Sequence, residues 1–215
     1  MLKVFDLGMN NGDDAAYYLG KGFDVIAVEA NPVLCATAKR RFGDKITIVN
    51  AIVCGKQGQQ KFYLNLDNNH WSSIDRIWAS RNKSRTEEIT VQCLTINDLF
   101  AQYGIPHYAK IDIEGADLEV LASLSEAKTI PTYLSIEDCR FGFQYLAMMK
   151  EYGYRKFNLS EQSQFSGSSG PFGDDLGGWM TYDKMLDHYV KIVRDHNGRR
   201  IAPENNWFDI HCRMS

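Results

Sequence analysis

The opening segment of the chain constrains the fold most strongly. An apolar run, Lys3–Leu7, carries the carboxylate Asp6 and is followed by a turn that contains Gly8, Asn10 and Gly12. Glycine lets a backbone approach a ligand closely, and asparagine tolerates left-handed conformations. We therefore predict the first strand of a parallel α/β sheet and, directly after it, a turn that holds a nucleoside-containing cofactor.

Strand and helix patterns alternate along the rest of the chain. The run Asp24–Glu29 is nearly uninterrupted in its apolar character, which is typical of a strand buried on both faces. Further strands are predicted at 45–53, 60–65, 89–94, 108–115, 133–138, 155–159 and 207–213, and helices at 13–19, 33–42, 95–104, 118–124, 143–152 and 181–196. This alternation predicts a three-layer α/β sandwich with a mostly parallel sheet and an antiparallel C-terminal strand.

Composition limits the class of protein. With 215 residues, 44% of them hydrophobic and 24% charged, the chain has the size and balance of one soluble domain spanning residues 1–215. Its net charge of −3 gives no general attraction to nucleic acid or to acidic membranes. No apolar run approaches the roughly 18 residues that span a bilayer, and an opening strand leaves no room for a signal peptide. We expect a cytoplasmic protein without a nucleic-acid or membrane partner.

The cysteines give no sign of a metal site or of a disulfide framework. They are odd in number and widely scattered, and no CxxC pair occurs among them. The five are Cys35, Cys54, Cys93, Cys139 and Cys212. We expect all of them to be reduced and mostly buried thiols.

The opening turn discriminates between nucleoside cofactors. A dinucleotide fingerprint, G-x-G-x-x-G, would place its second and third glycines on Asn10 and Asp13, so the match fails twice. Glu29 follows Gly8 by about 20 residues, the position from which a carboxylate accepts hydrogen bonds from ribose hydroxyls. The acid Asp6 suits a cationic or hydrogen-bond-donating ligand rather than a pyrophosphate. S-adenosylmethionine offers both a cationic amino-acid end and a ribose.

Several segments resemble one known family, the FkbM-type methyltransferases. The resemblance rests on Asp6–Gly12, Val28–Pro32 and Lys110–Ala116, with Ser72, Ser73 and the segment Val91–Leu99 as further matching positions. These segments keep the order of the family and cover about residues 4–124. The resemblance implies a Rossmann-like methyltransferase fold, S-adenosylmethionine as cofactor, and methyl transfer, typically to a hydroxyl of a sugar or natural product.

The predicted cofactor site combines the ends of several strands. Ala51 and Ile52, at the end of the third strand, either flank the adenine or only pack a loop. The predicted cofactor-binding residues are Asp6, Gly8, Met9, Asn10, Gly12, Glu29, Ala30, Asn31, Ala51, Ile52 and Asp112.

Acidic residues at later strand ends are the catalytic candidates. Asp112 and Glu114 lie two positions apart on the strand predicted at 108–115, so both are expected at one edge, where ligands bind in open α/β sheets. One can orient the methionine end of the cofactor while the other removes the proton of an acceptor hydroxyl. Glu137 could take part in catalysis, or join Asp112 and Asp138 around a divalent cation, which we allow for but do not favour. His70 is either a further candidate base or an exposed loop histidine.

Two other segments bear on the acceptor. The Gly- and Ser-rich segment Ser160–Trp179 lacks apolar periodicity, and we predict a lid or an acceptor-binding insertion. Arg76, Arg81, Lys83 and Arg85 are interleaved with tryptophans. They form a solvated face or receive an anionic acceptor such as a phosphorylated sugar.

Together these features favour an S-adenosylmethionine-dependent O-methyltransferase that acts on a small molecule or glycan. A non-catalytic nucleoside-binding scaffold or sensor is the alternative from another class, and an NAD-dependent oxidoreductase is disfavoured by the missing glycines. N-methylation stays open, because one fold supports several chemistries. The acceptor and the oligomeric state are left open by the sequence.

Overall fold

The computed structural model describes residues 1–164, 172 and 178–215, and the chain divides into two units, Met1–Pro131 and Thr132–Ser215. The strands of the first unit are β1 (Lys3–Leu7), β2 (Asp24–Glu29), β3 (Thr47–Asn50), β4 (Ile52–Val53), β5 (Gly58–Asn65), β6 (Thr86–Leu94) and β7 (Tyr108–Ile111). Its helices are α1 (Asp13–Gly20), α2 (Pro32–Phe42), α3 (Arg76–Ala79), α4 (Ile96–Tyr103) and α5 (Asp117–Ser123).

Four parallel strands form the centre of the first unit, in the order β3-β2-β1-β7. Strand β1 lies between β2 and β7, so that Asp6 pairs in register with Ala27 on one side and Lys110 on the other. The apolar residues of β1 and β2 are almost fully buried, as their uninterrupted hydrophobic runs predict. The α/β fold class and the mostly parallel sheet are confirmed.

A second, three-stranded sheet in the same unit has the order β4-β6-β5. The single strand predicted at 45–53 is wrong, because the chain bends at Ala51 and its two halves join different sheets. The amide of Ala51 still donates to the carbonyl of Glu29 at 3.1 Å, whereas Ile52 pairs in register with Cys93. Apolar residues before and after a bend give one continuous hydrophobic run in sequence, which hides the break.

The small sheet also corrects the prediction for the cysteines. Cys54 and Cys93 form a disulfide with a Cα–Cα separation of 6.1 Å, so they are not free thiols. Strand pairing brings them together, because the amide of Cys54 donates to the carbonyl of Leu94, the neighbour of Cys93. The free cysteines are Cys35, Cys139 and Cys212.

The second unit contains an antiparallel arrangement of three strands. Strand β10 (Phe208–Arg213) lies between β8 (Tyr133–Glu137) and β9 (Lys156–Glu161) and runs antiparallel to both. The antiparallel C-terminal strand is therefore confirmed. The helices of this unit are α6 (Gly142–Glu151) and α7 (Tyr182–Ile192).

The predicted lid, 160–179, is described only at its two ends and at one internal position. Ser160 and Glu161 are the last residues of β9, and residues 165–171 and 173–177 lie outside the described residues. None of the described helices has the length and apolar character needed to cross a bilayer.

Removal of the disulfide is expected to destabilise the protein. The bond joins residues that are 39 positions apart, and the chain-entropy model assigns about 4 kcal/mol to a loop of that size. We expect the double variant Cys54→Ala/Cys93→Ala to lose a free energy of unfolding of that order, measured by denaturant titration. Dithiothreitol should lower the free energy of unfolding of the wild type and leave that of the double variant unchanged. A wild-type transition that is insensitive to reductant would show that the bond contributes nothing.

Candidate functional site

The turn after β1 is left-handed at three positions. The φ angles of Gly8, Asn10 and Gly12 are +94°, +50° and +81°. A Cβ atom on Gly8 would lie 1.8 Å from the carbonyl oxygen of Asp112, and one on Gly12 would lie 2.8 Å from the ring of Phe42. Both positions therefore require glycine on conformational and on steric grounds. The turn thus has the left-handed conformation that its glycines and Asn10 indicate.

Backbone hydrogen bonds tie this turn to the end of β2. The amides of Gly8 and Met9 both donate to the carbonyl of Val28, at 2.9 and 3.0 Å. The amide of Asn10 donates to Oε2 of Glu29 at 2.8 Å, so the turn and the predicted ribose-binding carboxylate are in direct contact. The sequence predicted this proximity from spacing alone.

The carboxylate of Glu29 is held by backbone donors on both sides. Its Oε1 accepts a hydrogen bond from the amide of Asn31 at 2.7 Å, while Oε2 accepts the one from Asn10. Burial raises the pKa of Glu29, and these backbone donors oppose the rise. Each carboxylate oxygen has a second acceptor position, so this rigidly placed group can still accept hydrogen bonds from a ligand.

Asp6 is a buried acid with an unsatisfied oxygen. Its side chain is 1% exposed, and Oδ2 is among the described buried polar atoms that have no hydrogen-bond partner. Burial first, and then the nearby charge of Asp14, raise its pKa to about 8, although Lys110 acts in the opposite direction. An unpaired buried polar atom is costly, and a ligand with a cationic or N–H group could supply the missing partner.

The segments that could flank an adenine lie beside Glu29. The side-chain amide of Asn50 donates to the carbonyls of Glu29 and Ala30, at 2.9 and 3.0 Å. Ala51 and Ile52 are buried, and Ile52 belongs to a hydrophobic cluster that also contains Ala30. The side chain of Asn31 caps α2 by accepting from the amide of Val33 at 2.9 Å. Much of this region is therefore shaped by its own packing.

Asp112 follows β7 and meets the opening turn from the other side. Its amide donates to the carbonyl of Leu7 at 2.9 Å, and its carboxylate lies 3.1 Å from Nζ of Lys110. Lys110 also contacts the carboxylate of Asp14. Since the Asp112 side chain retains 28% exposure, it remains accessible to a ligand at the edge of the sheet.

The strand predicted at 108–115 ends four residues early, at Ile111. Glu114 has a φ of +54° and Gly115 a φ of +128°, and neither angle fits a strand. The buried carboxylate of Asp117 accepts from the amides of Ile113 and Gly115, at 3.1 and 2.8 Å, and so holds the bend. A left-handed non-glycine residue costs roughly 1–3 kcal/mol. The sequence predicted that Asp112 and Glu114 lie two positions apart on one strand. This prediction is wrong, because both residues follow the end of β7.

The side chain of Glu114 is enclosed by two groups that the sequence did not assign to it. Nε1 of Trp78 donates to Oε2 of Glu114 at 2.5 Å, and Nη2 of Arg81 lies 3.2 Å from both carboxylate oxygens. Burial is the main reason that the pKa of Glu114 rises to about 7. The interleaving of arginines and tryptophans was the only signal in the sequence, and we interpreted it first as a solvated face.

The other catalytic and metal candidates have ordinary surroundings. His70 is exposed in a 3-10 turn, and Glu137 is half-buried at the end of β8, where Oε2 accepts from Sγ of Cys139 at 3.4 Å. The buried carboxylate of Asp138 accepts from the Tyr189 hydroxyl at 2.9 Å and pairs with Arg194 at 3.2 Å. No cluster of three or more potential metal-binding side chains occurs in the described part of the chain.

The segment that contains these residues matches the model of a known protein family. The chain belongs to the FkbM methyltransferase domain family, whose model matches residues 6–156. The match begins at Asp6 and includes the opening turn, Glu29, Asp112 and Glu114. S-adenosylmethionine is therefore the cofactor.

Solved structures of methyltransferases resemble the whole chain at low sequence identity. A TehB-like SAM-dependent methyltransferase from Corynebacterium glutamicum is 11% identical with a TM-score of 0.43, and the match covers 100% of this chain and 80% of that one. Precorrin-6y C5,15-methyltransferase from Geobacter metallireducens is 10% identical with a TM-score of 0.45 and the same coverage. The N-terminal domain of human METTL16 in complex with SAH is 12% identical with a TM-score of 0.46, covering 100% of this chain and 62% of that one. No curated protein matches.

The raised pKa of Asp6 predicts a specific pH dependence of stability. Between its ordinary value of 3.8 and about 8, the folded protein keeps a proton that the unfolded chain has released. Unfolding therefore becomes easier as the pH rises through this window, by up to about 1.4 kcal/mol per pH unit. Denaturant titrations of the ligand-free protein from pH 5 to 8 should show this slope, and Asp6→Asn should reduce it.

The exposed Asp44, which pairs only with Lys39 in the described structure, provides the control. Asp44→Asn should keep the wild-type slope. Equal slopes for Asp6→Asn and the wild type would contradict the assignment of this proton to Asp6.

Proposed function

We propose that this protein is an S-adenosylmethionine-dependent O-methyltransferase that methylates a hydroxyl of a sugar, a glycan or a small natural product. The observation that carries the proposal is the environment of Glu114. Its side chain is 16% exposed and contacts Trp78 and Arg81, and its pKa rises to about 7. A general base is most effective when its pKa lies near the working pH. Hydroxyl methylation needs such a base, because the attacking oxygen must lose its proton.

The opening turn and Glu29 would hold the donor. Glu29 would accept hydrogen bonds from the ribose hydroxyls at the acceptor positions that its backbone partners leave open, and the turn from Gly8 to Gly12 would lie against the donor. Asp6, buried and unpaired at Oδ2, lies where a positive charge would favour its ionised form. When bound, S-adenosylmethionine supplies an electrophilic methyl group on its sulfonium.

Asp112 would act on the donor and Glu114 on the acceptor. Asp112 is fixed to Lys110 and to the end of β1, so we assign it to orienting the methionine end of the donor. Glu114 would take the hydroxyl proton of the acceptor. The bend held by Asp117 keeps Glu114 at a fixed place relative to Asp112, and fixed placement is what brings reacting groups into near-attack geometry.

The other candidate residues have weaker support. His70 is exposed, and its side chain has no feature that distinguishes it from an ordinary loop histidine. Glu137 stays a candidate for the acceptor side, without a feature comparable to those of Glu114. The carboxylate of Asp138 forms ion pairs with Arg194 at 3.2 Å and with Arg200 at 3.7 Å. These pairs disfavour a role for Asp138 as a cation ligand. The segment 160–179 is proposed as the acceptor-binding insertion.

Donor binding can be tested with S-adenosylhomocysteine by isothermal titration calorimetry. We expect the wild type to bind, and Glu29→Gln to bind roughly ten- to a hundredfold more weakly, since a hydrogen bond to a charged group contributes about 1.5–3 kcal/mol. Asp44→Asn, at an exposed site far along the chain from the turn, should bind like the wild type. Absence of wild-type binding, or equal affinity of Glu29→Gln, would refute the proposed donor site.

Catalysis can be tested separately with methyl-labelled donor and a small-molecule extract of the source cells. We expect Glu114→Gln to transfer at least about a hundredfold less label than the wild type, the typical contribution of a general base, with unchanged affinity for S-adenosylhomocysteine. The exposed Glu126→Gln is the matched control. Binding without any transfer by the wild type would favour the scaffold or sensor alternative, and product identification would separate O- from N-methylation.

A further inference from the structure

A small cluster of side chains surrounds the carboxylate of Glu114. The guanidinium carbon of Arg81 lies 4.7 Å from the ring centre of Trp71 and 4.2 Å from that of Trp78. Its Nη2 contacts both oxygens of Glu114, and its Nη1 donates to the carbonyl of Trp78 at 3.1 Å. We call Trp71, Trp78 and Arg81 the arginine clamp.

The arginine clamp is held in place by the chain around it. The carboxylate of Asp75 caps α3 by accepting from the amides of Ile77 and Trp78, at 2.9 and 3.1 Å. Ala79 is fully buried, and its carbonyl accepts from the side-chain amide of Asn65 on β5 at 2.7 Å. The N-terminus of α3 is thus capped locally, and its C-terminal end is fixed to the three-stranded sheet, which keeps Trp78 in one place.

Backbone strain concentrates around this cluster. The non-glycine residues with positive φ in the described structure are Asn10, Asn82, Lys83 and Glu114. Asn82 and Lys83 directly follow Arg81, and Glu114 is its partner, whereas Asn10 belongs to the cofactor turn. Strained residues persist where the surrounding structure enforces them, and they cluster at functional sites.

We propose that Arg81 is a positioning residue that, stacked between Trp71 and Trp78, fixes the Glu114 carboxylate for proton transfer from the acceptor. This inference rests on the proposed role of Glu114 as the base. Arginine suits the task because its planar guanidinium stacks on aromatic rings, while Nη2 reaches both oxygens of Glu114 and Nη1 donates to the carbonyl of Trp78. Lysine carries the same charge, but its single ammonium group cannot reproduce the planar stacking and fill the positions of both nitrogens at once.

The charged groups that face Glu114 determine what its titration should show. Arg81 lowers the pKa of Glu114, whereas Asp112, on the same loop, and Asp117, on α5, raise it together with burial. Loss of the Arg81 charge should therefore raise the pKa of Glu114. Because Nε1–H of Trp78 donates to Oε2 of Glu114, the indole proton of Trp78 should report the ionisation directly.

The experiment is an NMR titration of the tryptophan indole N–H signals, with Trp78→Phe used to assign the Trp78 signal. In the wild type this signal should titrate near pH 7, and in Glu114→Gln it should not. Arg81→Met should move the midpoint upward by about one pH unit. Arg85→Met, which removes an exposed arginine paired with Asp67, should leave the midpoint in place.

Methyl transfer by Arg81→Lys separates position from charge. We expect this variant to keep a midpoint near that of the wild type and yet to transfer label at least tenfold more slowly, with unchanged affinity for S-adenosylhomocysteine. Full activity of Arg81→Lys, or an unmoved midpoint in Arg81→Met, would overturn the inference. If Arg81→Met does not fold, the midpoint and transfer rate of Trp71→Ala, compared with Trp71→Phe, decide the same question.

The two proposals fail in different ways. If the wild type transfers no methyl group but the midpoint moves as expected, the proposed function is wrong and the coupling between Arg81 and Glu114 is supported. If the wild type is active and neither Arg81 variant changes the midpoint or the transfer rate, the positioning role is wrong and the proposed function stands.

Discussion

The close approach of Gly8 to the carbonyl of Asp112 is the contact on which the candidate site depends. A side chain at Gly8 would put its Cβ atom 1.8 Å from that oxygen, so only glycine lets the end of β1 pass so near the loop after β7. With this approach, the amide of Asp112 reaches Leu7 and the amides of the turn reach Val28. The acids of three neighbouring strand ends thereby come to one edge of the sheet.

Features encoded by short stretches of sequence were predicted well. The turn at Gly8 and Gly12, the burial of β2 and the position of Glu29 follow from glycine placement, apolar runs and the regular spacing of a strand–helix–strand unit. These signals are local because backbone conformation at one or two residues decides them. The helix at 95–104 is another such case, since Thr95 and Asp98 form a complete capping box.

Features that depend on distant pairings could not be predicted in the same way. Cys54 and Cys93 are 39 positions apart, and only the register of β4 on β6 brings them together. Arg81 and Glu114 are 33 positions apart, and their contact requires both the bend held by Asp117 and the anchoring of α3. The bend itself is hidden, because Ile111 to Gly115 has the alternating pattern of a strand while Glu114 adopts a left-handed conformation.

One carboxylate, that of Asp112, affects the ionisation of two other acids in the candidate site. Burial is the main reason that the pKa values of Asp6 and Glu114 are raised, and the charge of Asp112 adds to the rise at both carboxyls. Lys110 lowers the pKa of Asp6 and Arg81 lowers the pKa of Glu114, but neither cation cancels the rise. Acids held close together with raised pKa values reduce the stability of the folded protein, and perturbed pKa values of this kind cluster at functional sites. In the proposed donor site the methyl donor is a cation, and its positive charge would offset the mutual repulsion of these acids.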